Sequence, residues 1–521
     1  MKLLRRKSVW CLGIFVVLPG LFLTEEHVRG SWRLARWKSQ QQARGEKFAI
    51  EECLAPAHVR VENRFRDLMA ACAGRRGQDL LRVAPPTFQF LKPGQAVALR
   101  QVEHWTRKPG DKERKTDPGL TNTTWVDVGD ALAPWSDSLQ RAKAMLHEPR
   151  LDAELDYYMG FSMLLPHLGP LKVLGQHLNV AALHELHLGH LDTGLDDIKD
   201  LLAITRVLED ERVIISQLIR QTVANIAVGT TWQALQYPGW TDAQLADLQQ
   251  TWLSLEFLEP MIQACEMERA CVIHTFANMR GSVTAASQAL DLGGGNRGGG
   301  SGKAIASLGD LVEYVGDNSG EIFTHGVLIP SWQFAWSHQD ELYYLNRTQT
   351  CLEAARACAQ AHTFGPVHAV QATNGEWIHP GGLNRIRHLV SWQFSDGLPG
   401  ATEKAVNAEG LKQLVIAAIA LHRHQLRHGR PASTLEQLVP EFLPAVPIDV
   451  WSGEPLRYRL TPDQPPLLYG VGKDGRDNGG DPTVVQGSLN GLGVLSGRDV
   501  VWPAPATPDE IAKAGPGLKR N

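Results

Sequence analysis

The sequence predicts a mainly α-helical protein built from an N-terminal membrane anchor, an antiparallel helical body and a small C-terminal α+β module. Three observations predict it. An uncharged run spans Val9–Leu23, amphipathic helical patterns with turn signals between them fill residues 136–292, and a last unit over about 405–485 joins helix to a pair of alternating strands. Apolar residues make up 43% of the 521 positions and charged residues 21%. That is globular composition, and the length suggests roughly three folding units. A formal net charge of −4 argues against a generally basic surface, so no nucleic-acid partner is expected. Seven cysteines are far too few for a disulfide scaffold.

Lys2, Arg5, Arg6 and Lys7 precede the uncharged run. Its fifteen residues would make a helix about 22 Å long, short of a hydrocarbon core of roughly 30 Å. A cleaved signal peptide needs small residues at its end, and Leu23-Thr24-Glu25-Glu26 offers none. The run therefore reads as an uncleaved anchor over residues 1–24, with a cleaved signal or a buried helix as alternatives. The basic end would face the cytoplasm. This places the chain on the inner membrane as a single-pass protein, its bulk extracytoplasmic and the membrane itself a partner.

Residues 25–135 read as a stalk and an irregular segment. Trp32 and Trp37 lie among arginines near the expected interface, and four Pro/Gly turn signals punctuate 85–119. Phe88–Leu91 and Val97–Leu99 are short strand candidates. In the helical domain over 136–292, Leu195, Ile198, Leu201, Leu202, Thr205 and Leu208 draw one apolar stripe. A second helix over Val213–Leu235 stops at Pro238-Gly239. Thr241 with Gln244 forms a capping box for a third, and Met261–Met279 is a fourth. Short connections between such helices imply antiparallel neighbours.

A Gly-rich linker over 293–305 separates this domain from a helix and an irregular connection over 306–404. The linker contains a literal G-x-G-x-x-G at 293–298. It lacks the preceding strand and following helix that a dinucleotide site requires. His177, His184, His187 and His190 cluster in sequence, and Glu268 and His274 share a helix. These are the only grounds for an alternative reading as an envelope metal-dependent hydrolase. The chain has no H-E-x-x-H and no G-x-S-x-G. Cys351 and Cys358, seven apart on a helix, are too distant along it for a disulfide and read as buried thiols.

The module over 405–485 carries the most specific pattern. Leu411, Leu414, Val415, Ala418, Leu421 and Leu426 lie on one helical face, closed by Gly429 and Pro431. Ser433 with Glu436 reads as a second capping box before a short helix. A turn follows at Pro447–Gly453, and Leu456–Leu460 and Leu467–Val471 read as paired strands. The unit closes with Gly472-Lys473-Asp474-Gly475-Arg476-Asp477-Asn478-Gly479-Gly480-Asp481. The tail over 486–521 reads as flexible.

This order of elements, with His-Gly-Arg-Pro, Pro-Leu-Arg-Tyr-Arg and Tyr-Gly-Val-Gly-Lys-Asp-Gly, resembles the soluble domain of the major type II secretion pseudopilin. Membrane-anchored bacterial proteins with a similar ending resemble the whole chain. The likeness covers about 80 residues. It implies a calcium site in the last loop, with Asp474, Asp477, Asn478 and Asp481 as ligands. Gly-rich turns let carbonyls converge on such a hard cation. Two departures stand out. Gly470 replaces the family's usual serine, and the processing site in front of the apolar helix is missing. No pilus-like filament is therefore implied, and fold alone does not fix function. The expected role is a structural or interaction scaffold with protein partners in the cell envelope, or an accessory to a secretion system.

Overall fold

A computed structural model describes residues 2–55, 61–72, 88–92, 94–98, 105–106, 115–116, 124–292, 327–373, 384, 387–391, 398–462, 464–483 and 497–514. The chain is mainly helical, as expected. The Gly-rich linker and much of the 306–404 connection lie outside the described residues.

The expected anchor is overturned. No helix among the described residues is long and apolar enough to cross a membrane, which removes the single-pass inner-membrane placement. The physical reason lies in α1 (Lys2–Gln42), one helix of 41 residues. Its uncharged run ends after about 22 Å, and the same helix carries on into Glu25, Glu26, Arg29 and Arg33.

The stretch expected as a stalk is docked on the protein's own body. Glu26 is buried and accepts hydrogen bonds from Trp336 Nε1 and Gln339 Nε2, both at 2.9 Å, and from Arg387 at 3.1 Å. Gly30 allows the close approach. A Cβ there would sit 2.9 Å from the Gln339 side chain. Lower down, Lys38 and Arg280 both pair with the fully buried Glu341, at 2.5 and 2.6 Å. A charged helix face reads as solvated until its partners, some 300 residues away, come into view.

Two short helices follow, α2 (Ile50–Cys53) and α3 (Phe65–Cys72), then two antiparallel strands, β1 (Phe88–Lys92) and β2 (Gln95–Ala98). β3 (Trp105–Thr106) and β4 (Lys115–Thr116) form a separate pair. The body comprises α4 (Trp125–Leu132), α5 (Ser136–Leu146), α6 (Leu168–His187), α7 (Leu191–Val207), α8 (Ile214–Ala234), α9 (Asp242–Leu253), α10 (Leu258–Gly281) and α11 (Val283–Leu292). The four helices expected between 192 and 279 are α7 to α10. Thr241 caps α9 as its sequence predicts, its hydroxyl accepting from Gln244 N–H and its own N–H donating to Gln244 Oε1. Arg220 on α8 is fully buried, satisfied by the Thr205 carbonyl at 2.7 Å and Glu209 at 3.0 Å, over the Phe257 ring. Such a charge survives burial only because it is paired and hydrogen-bonded.

A helical lead-in over 329–336 runs into α12 (Ser337–Ala361), followed by α13 (Gly365–Thr373). α14 (Leu398–His428) starts ahead of the expected module boundary at 405 and packs on α8 and α9. Gly429, at φ +68°, ends it as expected. The second capping box is not formed. Thr434, not Ser433, precedes a single 3-10 turn over Leu435–Leu438.

β5 (Arg457–Arg459), β6 (Leu467–Val471) and β7 (Asp499–Val501) form an antiparallel sheet in that order. β7 lies in the stretch expected as a flexible tail, and so do β8 (Ala504–Pro505) and α15 (Pro508–Ala514). The correction has a physical cause. Three buried residues complete the sheet, β8 pairs in parallel with β2, and Trp232 Nε1 donates to the Pro503 carbonyl at 2.9 Å. One apolar cluster takes in α3 to α9, α14 and the sheet. The module thus shares the core of the helical body. Arg423 and Arg427 seal the seam, both reaching Asp242 at 2.7 Å while flanking the Phe442 ring.

Candidate functional site

A concavity lies between α3, the segment 151–166 and the start of α6. It begins with Asn63. Its side-chain oxygen accepts the Phe65 and Asp152 N–H groups, both at 3.1 Å, and its amide donates to the Asp152 carbonyl at 2.7 Å. Arg64 N–H donates to the Arg150 carbonyl. This clamp holds the chain 151–156 opposite α3.

Asp156 then caps a 3-10 turn over Tyr157–Ser162 by accepting from Tyr158 N–H at 3.1 Å. Gly160 (φ +50°, ψ −129°) reverses the chain inside the turn, and Glu154 adopts φ +51°. Left-handed backbone at a non-glycine is uncommon. Here it turns the wall of the groove.

The resulting groove has a volume of about 710 Å³, within the range of ligand pockets. Phe65 and His167 form its floor, the Phe65 ring meeting the imidazole edge-on at 5.5 Å. His167 is buried and pairs with buried Glu211 at 2.9 Å. The walls are apolar, with Met69, Met159, Met163 and Leu164 prominent. The lip stands in solvent, with Leu164 83% and Met159 54% exposed. Arg66, Glu154, Asp156 and Ser162 supply the polar groups. Sequence reasoning passed over this region. Its signal is an apolar run, Tyr157–Leu165, that has neither helical nor strand periodicity and ends at Pro166.

The histidines of α6 do not converge. His177 packs on Trp135 at 4.8 Å, and burial lowers its pKa to about 4. His187 stacks on Trp125 at 4.4 Å, and His190, just beyond the helix, bonds Glu185 at 2.8 Å. Glu268 is pushed up to about 7 by burial, while His274 contacts Tyr158 edge-on. Cys351 and Cys358 are free thiols in separate apolar clusters.

The loop residues Asp474, Asp477, Asn478 and Asp481 each have partners of their own, and Asn478 Nδ2 meets Asp474 Oδ2 at 3.4 Å. Asp474 accepts from Arg476 N–H at 3.0 Å, Asp477 from Gly479 N–H at 2.8 Å, and Asp481 from Thr483 N–H at 3.0 Å. Side chains bonding their own backbone two residues on are Asx turns. Asp477 also binds Arg457 Nε at 2.8 Å and Tyr469 OH at 3.1 Å. Asn478 donates its amide to the Arg476 carbonyl at 3.1 Å. Among the described residues, no three His, Cys, Asp or Glu side chains are placed to hold one metal ion.

The loop closes on a residue that the sequence reading did not single out. Asp499 is fully buried and accepts the N–H groups of Asn478 (3.1 Å), Gly480 (2.7 Å) and Asp481 (3.0 Å). A neighbouring buried carboxylate explains Gly470. Asp449 accepts from Val471 N–H at 2.8 Å and Ser452 Oγ at 2.9 Å, and a Cβ on Gly470 would lie 2.8 Å from Asp449 Oδ1. Gly470→Ser, which installs the pseudopilin residue, should destabilise the protein by about 1–3 kcal/mol through overpacking. Urea unfolding measures it, and a neutral result would mean that Asp449 can turn aside.

Compared with protein-family models, curated proteins and solved structures, this chain matches none of them.

Proposed function

We propose that the protein acts by binding, as an interaction scaffold whose docking site is the groove between α3 and residues 151–166. Leu164 is the observation that carries this reading. It stands 83% exposed on the rim of a concave apolar surface, and burying a leucine side chain is worth about 1.5–3 kcal/mol. Single exposed apolar residues need no explanation, but an apolar lip around a cavity marks a binding site.

The methionines add to it. Met69, Met159 and Met163, of eight in the chain, line the groove. Their flexible, polarizable side chains adapt to irregular apolar partners. The helical body and the C-terminal sheet share one core and provide a stiff backing for the site.

The test uses an environment-sensitive apolar dye on the full chain. Leu164→Asp should leave the melting temperature unchanged, because the residue is exposed, and weaken dye binding by about tenfold, the equivalent of 1.4 kcal/mol. Dye affinity indifferent to both Leu164→Asp and Met159→Asp would place the dye elsewhere and remove the reading.

A further inference from the structure

We infer that the groove takes a peptide: an apolar stretch flanked by lysine or arginine, lying along residues 153–156. This rests on the groove being the docking site, and it names the occupant.

The wall decides between a peptide and a hydrocarbon chain. Ala153, Glu154, Leu155 and Asp156 line the groove consecutively. These residues belong to no strand. Among the described residues, the N–H groups of Ala153 and Leu155 and the carbonyls of Ala153 and Glu154 have no hydrogen-bond partner. A hydrocarbon chain laid over them would strip their water and return nothing, at about 1–3 kcal/mol for each group. A peptide backbone brings its own donors and acceptors, while its side chains fill the methionine-lined space. Peptide recognition commonly divides the work this way, with main-chain bonds giving affinity and pockets giving specificity.

Charge sets the flank. Glu154 and Asp156 stand on the wall against one guanidinium, that of Arg66. Arg150 reaches Glu154 at 3.4 Å and Asp152 at 3.5 Å, so it offsets part of this field from outside the groove. His167 is occupied by Glu211 at 2.9 Å. The groove thus presents more carboxylates than cations, and complementary charge on a partner steers and selects it.

The experiment measures fluorescence polarization on the full chain with a labelled peptide of leucine and phenylalanine flanked by lysines. A matched peptide flanked by glutamates and an unlabelled alkyl carboxylate serve as competitors. The lysine peptide should bind at least about fivefold more tightly than the glutamate peptide at low salt, with the gap closing as salt screens the rim. N-methylation of its central amides should weaken it about tenfold, the loss expected for main-chain hydrogen bonds. Glu154→Lys should narrow the charge preference, and Leu164→Asp should abolish binding.

If the apolar dye binds in a Leu164-dependent way but neither peptide displaces it, the occupant is wrong and the groove stands. Peptide binding insensitive to both N-methylation and flank charge overturns the inference as well. If neither dye nor peptide responds to Leu164→Asp, the docking site itself is wrong.

Discussion

Replacing Glu46 with alanine should cost the fold about 3–5 kcal/mol, the loss typical when one partner of a buried ion pair is removed. Glu46 follows α1 and is the acceptor for three separate groups. Arg269 donates at 2.9 Å, Gln349 at 2.8 Å and Arg356 at 2.5 Å. Arg269 is fully buried over the Phe48 ring, so without Glu46 its charge would remain desolvated with only neutral partners.

Burial alone would raise the Glu46 pKa. The hydrogen bonds from Arg356 and Gln349 and the charge of Arg269 outweigh it, and the carboxyl is lowered from 4.5 to about 2. A depressed carboxyl stabilises the fold above its unfolded value and loses that stabilisation as pH falls towards its folded value. The shift corresponds to about 3 kcal/mol lost between roughly pH 4.5 and pH 2. Asp340 and Asp197 behave oppositely. Burial lifts both from 3.8 to about 6, so each favours the folded state more as pH falls from 6 towards 4. His177, His338 and His388, each lowered to about 4 by burial, oppose them over the same range, so no net gain is expected on mild acidification and the melting temperature should fall steeply below about pH 4.5. In Glu46→Ala the acid limb should be shallower. Urea unfolding at several pH values reads both effects, and a loss under about 1 kcal/mol at neutral pH would show that Arg269 finds another partner.

The sequence made some of this architecture legible and hid the rest for definable reasons. Local signals were sufficient where structure is decided locally. Thr241 and Gln244 specify their cap, Gly429 and Pro431 end α14, and the alternation around Tyr458 and Tyr469 marks β5 and β6. Signals failed where long-range partners decide. Glu26 looks solvated because Trp336, Gln339 and Arg387 lie more than 300 residues away. Asp499–Val501 is too short for its alternation to stand out, yet Tyr469 and Val471 pair with it. The groove escaped for a third reason. An irregular segment, a 3-10 turn and a two-turn helix build it, and none of these has a hydrophobic period long enough to read. The acidic loop was legible as a loop, but its organising carboxylate comes from a strand beyond it.

That carboxylate carries the second large effect. Asp499→Ala should destabilise the C-terminal sheet by about 3–5 kcal/mol, because it takes the acceptor from three half-buried N–H groups, those of Asn478, Gly480 and Asp481. The same change loosens β7 from β6, since Asp499 is paired with Val471. Asp474→Ala makes a sharp contrast. Asp474 is exposed and its principal bond is a turn within its own loop, so the loss should stay within about 0.5 kcal/mol.

Calcium separates the two carboxylates further. A cation in the loop would compete with Arg457 and Tyr469 for Asp477. Any ion that binds the folded state alone raises its stability by mass action. Melting curves with chelator and with excess calcium, on the parent chain and on both variants, give the decisive comparison. If Asp499 is the anchor, its loss should lower the melting temperature equally in chelator and in calcium. A calcium-dependent rise that vanishes in Asp474→Ala would instead make the loop a cation site, with Asp499 as its outer support.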